Sequence, residues 1–173
     1  KDRGVLGIDI AGPKGDNFKY DDYTHIYKEA QKAGLKTTVH TGEDGTAEEM
    51  DHILDILPLD RLNHGFRAYT DKKLMKKVKD KNLTMCLCPT SNMSVKFITS
   101  IDHLREVIRA LYDNGVKFCV NTDNPSMLKT NLRKEISLLA DNNILNPDEV
   151  IQMNTWAREA AWVDMKKDSN IYL

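Results

Sequence analysis

The feature that most constrains this chain is an alternation, repeated along its length, of short apolar runs and amphipathic stretches. Residues 5–10 read as a buried strand: apolar, rich in β-branched side chains, and stopped by Ala11-Gly12-Pro13. Residues 23–33 carry a helical period, with Asp21 or Asp22 as the expected cap and Gly34 just past the end. The pattern then repeats. Strands are expected at 35–40, 61–64, 83–87 and 116–121, and helices at 47–57, 71–81, 101–114, 132–141 and 147–162, the last with Pro147 in its first turn. A strand followed by a helix, five times over, implies a parallel sheet flanked by helices, either doubly wound or closed as a barrel.

The strand ends favour the barrel. Each expected strand runs out into residues able to do chemistry: Asp9 and Gly12, His40 and Glu43, His64 and Gly65, Pro89 to Asn92, and Asn121 to Asn124. Polar residues gathered at the C-terminal ends of successive strands are the mark of a (β/α)8 active face. Five strands cannot close such a barrel, so a barrel reading expects about three more strands upstream. The chain does not open on Met and begins almost directly on a strand.

Composition excludes several classes. With 25 basic and 26 acidic residues the formal charge is −1, which argues against a surface that tracks nucleic-acid phosphates. Apolar residues, 40% of the chain, are spread too evenly for a disordered segment. No apolar run approaches the ~20 residues that span a bilayer, and no apolar stretch follows Lys1-Asp2-Arg3-Gly4 as a signal peptide would require. The three cysteines, Cys86, Cys88 and Cys119, lack framework spacing and point to a reducing, cytoplasmic setting. Cys86 and Cys88 share one face of a strand and read as packing residues rather than ligands.

Taken singly, each candidate site residue also has an ordinary reading. His40 and Glu43 sit three apart at a strand-to-loop junction, where a histidine can ligate a metal and a carboxyl can move a proton, but Glu43 could equally cap the next helix. His64 could bond a neighbouring carbonyl, and Asp123-Asn124-Pro125 could be a turn. Together they point further. In a barrel all would converge on one mouth, with His40 and Asp123 as zinc-type ligands and Glu43 and His64 as titratable groups beside an activated water.

Five motifs in order resemble those of the adenosine/AMP deaminase family. Gly7-Ile8-Asp9-Ile10-Ala11-Gly12 is similar to G-x-D-L-A-G, Thr38-Val39-His40-Thr41-Gly42-Glu43 to T-V-H-A-G-E, and Arg61-Leu62-Asn63-His64-Gly65 to R-I-G-H-G. Cys88-Pro89-Thr90-Ser91-Asn92 resembles C-P-T-S-N, and Asn121-Thr122-Asp123-Asn124-Pro125 resembles N-T-D-D-P. The resemblance implies an α/β fold, a (β/α)8 TIM barrel holding one zinc ion, with residues 1–173 as the C-terminal part of a single barrel domain supplying about its last five βα units. It implies hydrolytic deamination of adenosine and 2'-deoxyadenosine to the inosine nucleoside plus ammonia, in purine salvage, by a zinc-activated water attacking purine C6.

The same resemblance implies the roles. His40 and Asp123 would ligate zinc, Glu43 would be protonated near neutral pH and give its proton to purine N1, and His64 would orient the water. Gly12 would offer its backbone N–H to N3, and Asn124 would face N7. The sequence departs from the family in three places. Asn124 stands where the motif has a second aspartate, and Asn63 replaces a common glycine. The H-x-H pair that supplies two further zinc ligands is absent: His25, His40, His52, His64 and His103 include no two separated by one residue. A partner segment N-terminal to this one is therefore expected to carry it. His25, His52 and His103 fall on expected helices and read as exposed or capping. A sister deaminase acting on adenine, AMP or a modified adenosine, and a non-catalytic relative, are the other readings. The expected partner is a purine nucleoside, with no nucleic acid and no membrane.

Overall fold

The computed structural model describes residues 4–163. The signal-peptide reading therefore falls outside the described residues except at Gly4. Strands and helices alternate in the order β1 (Gly7–Ile8), α1 (Thr24–Lys32), β2 (Lys36–Thr37), β3 (His40–Thr41), α2 (Ala47–Ile56), β4 (Arg61–His64), α3 (Lys72–Asp80), β5 (Thr84–Leu87), α4 (Pro89–Ser94), α5 (Ile101–Asp113), β6 (Phe118–Val120), α6 (Pro125–Leu128), α7 (Leu132–Asp141) and α8 (Pro147–Glu159). Every ladder is parallel, β1 with β2 and then β3, β4, β5 and β6 in sequence order.

β2 and β3 are two halves of one extended stretch. On one side the N–H groups of Lys36, Thr38 and His40 donate to the carbonyls of Leu6, Ile8 and Ile10 at 2.9–3.0 Å. On the other, Asp60, Asn63 and Gly65 donate to the carbonyls of Thr37, Val39 and Thr41 at 2.8–3.0 Å. Alternate peptide groups thus face opposite neighbours, and the two ladders join into an arc of five parallel strands, as the alternation of the sequence requires.

The outer face of the arc carries the core. Val39, Leu62, Met85, Leu87 and Phe118 are buried against Met50, Ile53 and Leu54 of α2, Leu74 and Val78 of α3, and Leu104, Val107 and Leu111 of α5. The inner face is different in kind: Arg61, Asn63, Cys86, Cys88, Cys119 and Asn121 line a cavity of about 460 Å³. The cysteines are free and buried, as packing residues should be. Burial pushes the Cys88 thiol up to about 12, which suits an unreactive group.

Several expectations shift. The first strand is no buried strand: Val5 and Leu6 are 49% and 43% exposed, because among the described residues β1 has a partner on one side only. Asp21 and Asp22 do not cap α1. They lie in a 3-10 turn, Tyr20–Tyr23, whose Tyr20 ring is buried and packs edge-on against Phe18 at 4.9 Å, while Asp21 turns outward to His52. Two short helices, α4 and α6, occupy segments read only as polar strand ends. They are too brief to show a period, although each starts on the proline at its first position. The last helix stops at Glu159. Beyond it, the Trp162 ring lies against Gly7, with the Arg61 guanidinium stacked 3.8 Å from its centre.

Candidate active site

His40, Glu43, His64 and Asp123 all stand at or just past the C-terminal ends of β3, β4 and β6. His40, His64 and Asp123 line the inner cavity. A second, adjoining cavity of about 160 Å³ is lined by His40, Glu43 and Gly12 together with Tyr20 and Lys14. His40 therefore sits where the two meet. Asn124 lines neither: its amide donates to Asp123 Oδ1 at 3.2 Å, and it stands at the start of α6.

Backbone geometry explains why these residues meet. Gly42 and Gly65 pass so closely that a Cβ on Gly42 would stand 2.9 Å from the Gly65 Cα, and both have positive φ, 70° and 82°. This contact brings the end of β3, with Glu43, against the end of β4, with His64. Strand alternation alone would put His64 on the same face as buried Leu62. A left-handed backbone, φ 58°, re-aims its ring into the cavity. Asp123 has the same conformation, φ 55°. Two non-glycine residues held there in one site are a concentration of strain of the kind found where side chains must be aimed.

The polar contacts form a connected set. Asp9 Oδ2 lies 2.9 Å from His40 Nδ1 and accepts a further hydrogen bond from Asn63 Nδ2 at 3.1 Å. Asn63, unexplained by the sequence, thus steadies the carboxylate that holds His40. Hydrogen bonding to Asp9, opposed by burial and reinforced by the charges of Asp9, Asp123 and Glu43, raises the His40 pKa above the ordinary imidazole value. Glu43 Oε2 lies 3.4 Å from His64 Nε2, and Ser91 Oγ donates to Asp123 Oδ2 at 2.6 Å. Glu43 does not cap α2; that role belongs to Thr46, whose hydroxyl accepts from Glu49 N at 3.1 Å.

The remaining histidines stand apart from this cluster. His25 is exposed on α1, and His52 pairs with Asp21. His103 accepts the Thr99 N–H at 3.3 Å just ahead of α5. Sequence reasoning named Asp9, Ser91 and Asn92 within motifs but gave them no task. The signal was available in the motifs themselves, which hold polar residues beyond those that touch a substrate.

The donor chemistry fits half of a zinc site. With Nδ1 turned to Asp9, His40 has Nε2 free, the arrangement in which a carboxylate orients a ligating imidazole, and Asp123 adds a carboxylate. Among the described residues no group of three or more His, Cys, Asp or Glu comes together as a cation site.

The chain also matches known proteins. The family described as adenosine deaminase matches residues 1–172. The chain is 32% identical over 173 residues to the adenosine deaminase of Plasmodium vivax, covering 96% of this chain and 46% of that protein. It is equally 32% identical over 160 residues to the adenine deaminase of Agrobacterium fabrum, covering 92% and 48%. The structure superposes on the Arabidopsis N6-mAMP deaminase with a TM-score of 0.79 and 25% identity, covering 96% and 48%. The chain spans about half the length of the relatives it matches, and its five-stranded arc is a partial TIM barrel. The chain belongs to the adenosine deaminase family.

Proposed function

We propose that the protein containing this chain hydrolyses the exocyclic amine of adenosine and 2'-deoxyadenosine, releasing ammonia and leaving the inosine nucleoside, within purine salvage. Residues 1–173 form the C-terminal part of its single barrel domain. The observation that carries the reading is the convergence of His40, Glu43, His64 and Asp123 on two adjoining cavities at the C-terminal ends of neighbouring parallel strands.

His40 Nε2 and the Asp123 carboxylate would hold zinc, and an H-x-H pair on a segment N-terminal to this one would supply the other ligands. Zinc, when bound, supplies Lewis acidity that makes a water nucleophilic near neutral pH. The chain's own residues do the rest. Glu43 gives a proton to purine N1, drawing electron density from C6. His64 orients the attacking water and stabilises the charge that develops on it, and Asp123 accepts a hydrogen bond from it. Oxygen adds to C6, the C6–N bond breaks, and ammonia leaves. The backbone N–H of Gly12 faces N3, and the Asn124 amide, turned from Asp123, donates to N7.

A sister activity on adenine, AMP or a modified adenosine is the second reading. It is favoured by the equal identity to an adenosine and an adenine deaminase and by the likeness to an N6-mAMP deaminase. We take the setting to be the cytoplasm: the three described cysteines are free, and no helix among the described residues is long and apolar enough to cross a membrane. Ammonia release by the full-length protein with adenosine, deoxyadenosine, adenine and AMP tests the proposal. Turnover of the two nucleosides is expected. Turnover confined to adenine or AMP would reassign the substrate, and a zinc-loaded protein inert to all four would mark a non-catalytic relative.

A further inference from the structure

The segment 88–92, where α4 begins, takes no part in the chemistry above, yet it touches three of its members, Glu43, His64 and Asp123. Asn92 is wholly buried. Its Nδ2 donates to Glu43 Oε1 at 2.9 Å, and its Oδ1 lies 3.3 Å from His64 Nδ1. The loop is closed by the 3.4 Å approach of His64 Nε2 to Glu43 Oε2. Asn92 is itself held at both ends of its backbone, its N–H donating to the Cys88 carbonyl at 2.9 Å and its own carbonyl accepting from Ile98 at 3.0 Å. Next to it the Thr90 N–H donates at 3.0 Å to Glu135, a carboxylate with no solvent exposure.

We propose that Asn92 is a positioning residue for the deamination: its one amide group fixes His64 in the Nδ1–H tautomer and reserves Glu43 Oε2 and His64 Nε2 for the reacting side. Glu43 Oε1 only accepts, whether the carboxyl is ionised or carries its proton on Oε2, so the NH2 end of the Asn92 amide must face it. The amide is planar, so its oxygen must then face His64. That oxygen also only accepts, so Nδ1 must carry hydrogen and the lone pair falls on Nε2. One buried side chain thereby decides which oxygen of the acid and which nitrogen of the imidazole are available. An apolar residue of similar volume would leave both groups unpaired and free to reorient.

The inference rests on the deaminase reading, and its test separates the two. The zinc-loaded full-length protein is labelled with 15N at histidine, and the His64 resonances are assigned. A single Nδ1–H tautomer is expected in the wild type, lost in Asn92→Leu but kept in Asn92→Asp, which retains the acceptor. Both variants are expected to bind zinc normally and to lose about a hundredfold in kcat, as misplaced reacting groups do, with KM within about threefold. A wild-type His64 protonated at Nε2, which needs no variant to observe, overturns the proposal, as does Asn92→Leu with unchanged kcat. A wild type that turns over no purine refutes the deaminase reading, while the spectrum still judges the hold of Asn92 on His64.

Discussion

Asp9 Oδ2 stands 2.9 Å from His40 Nδ1, across the ladder in which the His40 N–H donates to the Ile10 carbonyl. The carboxylate fixes both the tautomer of His40 and the direction of its free nitrogen. Outer partners of this kind are worth about 10–100-fold in metal affinity. Asp9→Ala in the full-length protein is therefore expected to weaken zinc binding by about that factor, read by competition with a chromophoric chelator. Unchanged affinity would remove His40, as oriented by Asp9, from the ligand set.

Gly42 is tested through stability. An alanine there would combine a left-handed backbone with a Cβ 2.9 Å from the Gly65 Cα and 3.0 Å from the Met50 sulfur. Backbone strain of about 1–2 kcal/mol and overpacking of about 1–3 kcal/mol both apply. Gly42→Ala should destabilise the protein by about 2–4 kcal/mol in denaturant titration. A loss under about 1 kcal/mol would show that the two strand ends separate easily.

Asp60 supplies a pH dependence. Its carboxylate accepts from Thr37 N at 2.9 Å, from Thr37 Oγ1 at 3.2 Å and from Lys36 Nζ at 2.6 Å, tying the start of β2 to the start of β4. Burial works to raise its pKa, but these bonds outweigh it and hold the value below the ordinary 3.8. The sign follows: because the folded pKa is depressed, the stabilisation is fully present above about 3.8 and is lost as pH falls through the folded value. Asp60→Asn should cost about 1–2 kcal/mol at neutral pH, less than a fully buried charged bond because the Lys36 arm is exposed. It should also flatten the acid limb of the stability profile. An unchanged acid limb would contradict this account.

Much of the fold was legible because its determinants are local. Hydrophobic period, capping residues and the glycines after α1 and α5 located five strands and six main helices. What sequence missed depended on contacts across the arc. No local signal says that Asp21 would serve His52 instead of α1, or that Trp162 would leave the helix to lie on Gly7. The site divides the same way. His40, Glu43, His64 and Asp123 were readable as polar groups at strand ends, and the structure brings them together. The tasks of Asp9, Asn63, Ser91 and Asn92 were not readable, since each acts on a residue at least 23 positions away and is defined by a hydrogen bond rather than by spacing.

In the proposed reaction Glu43 transfers a proton to the purine while His40 and Asp123 hold the metal. The most direct test is Glu43→Gln in the full-length protein, with zinc content and adenosine turnover measured on the same sample. Glutamine keeps the shape and the acceptor oxygen facing Asn92 but has no carboxyl proton to give. A full complement of zinc is expected, with turnover reduced by at least about a hundredfold, the scale of a lost general acid. A zinc-loaded Glu43→Gln protein with wild-type turnover would contradict this role of Glu43.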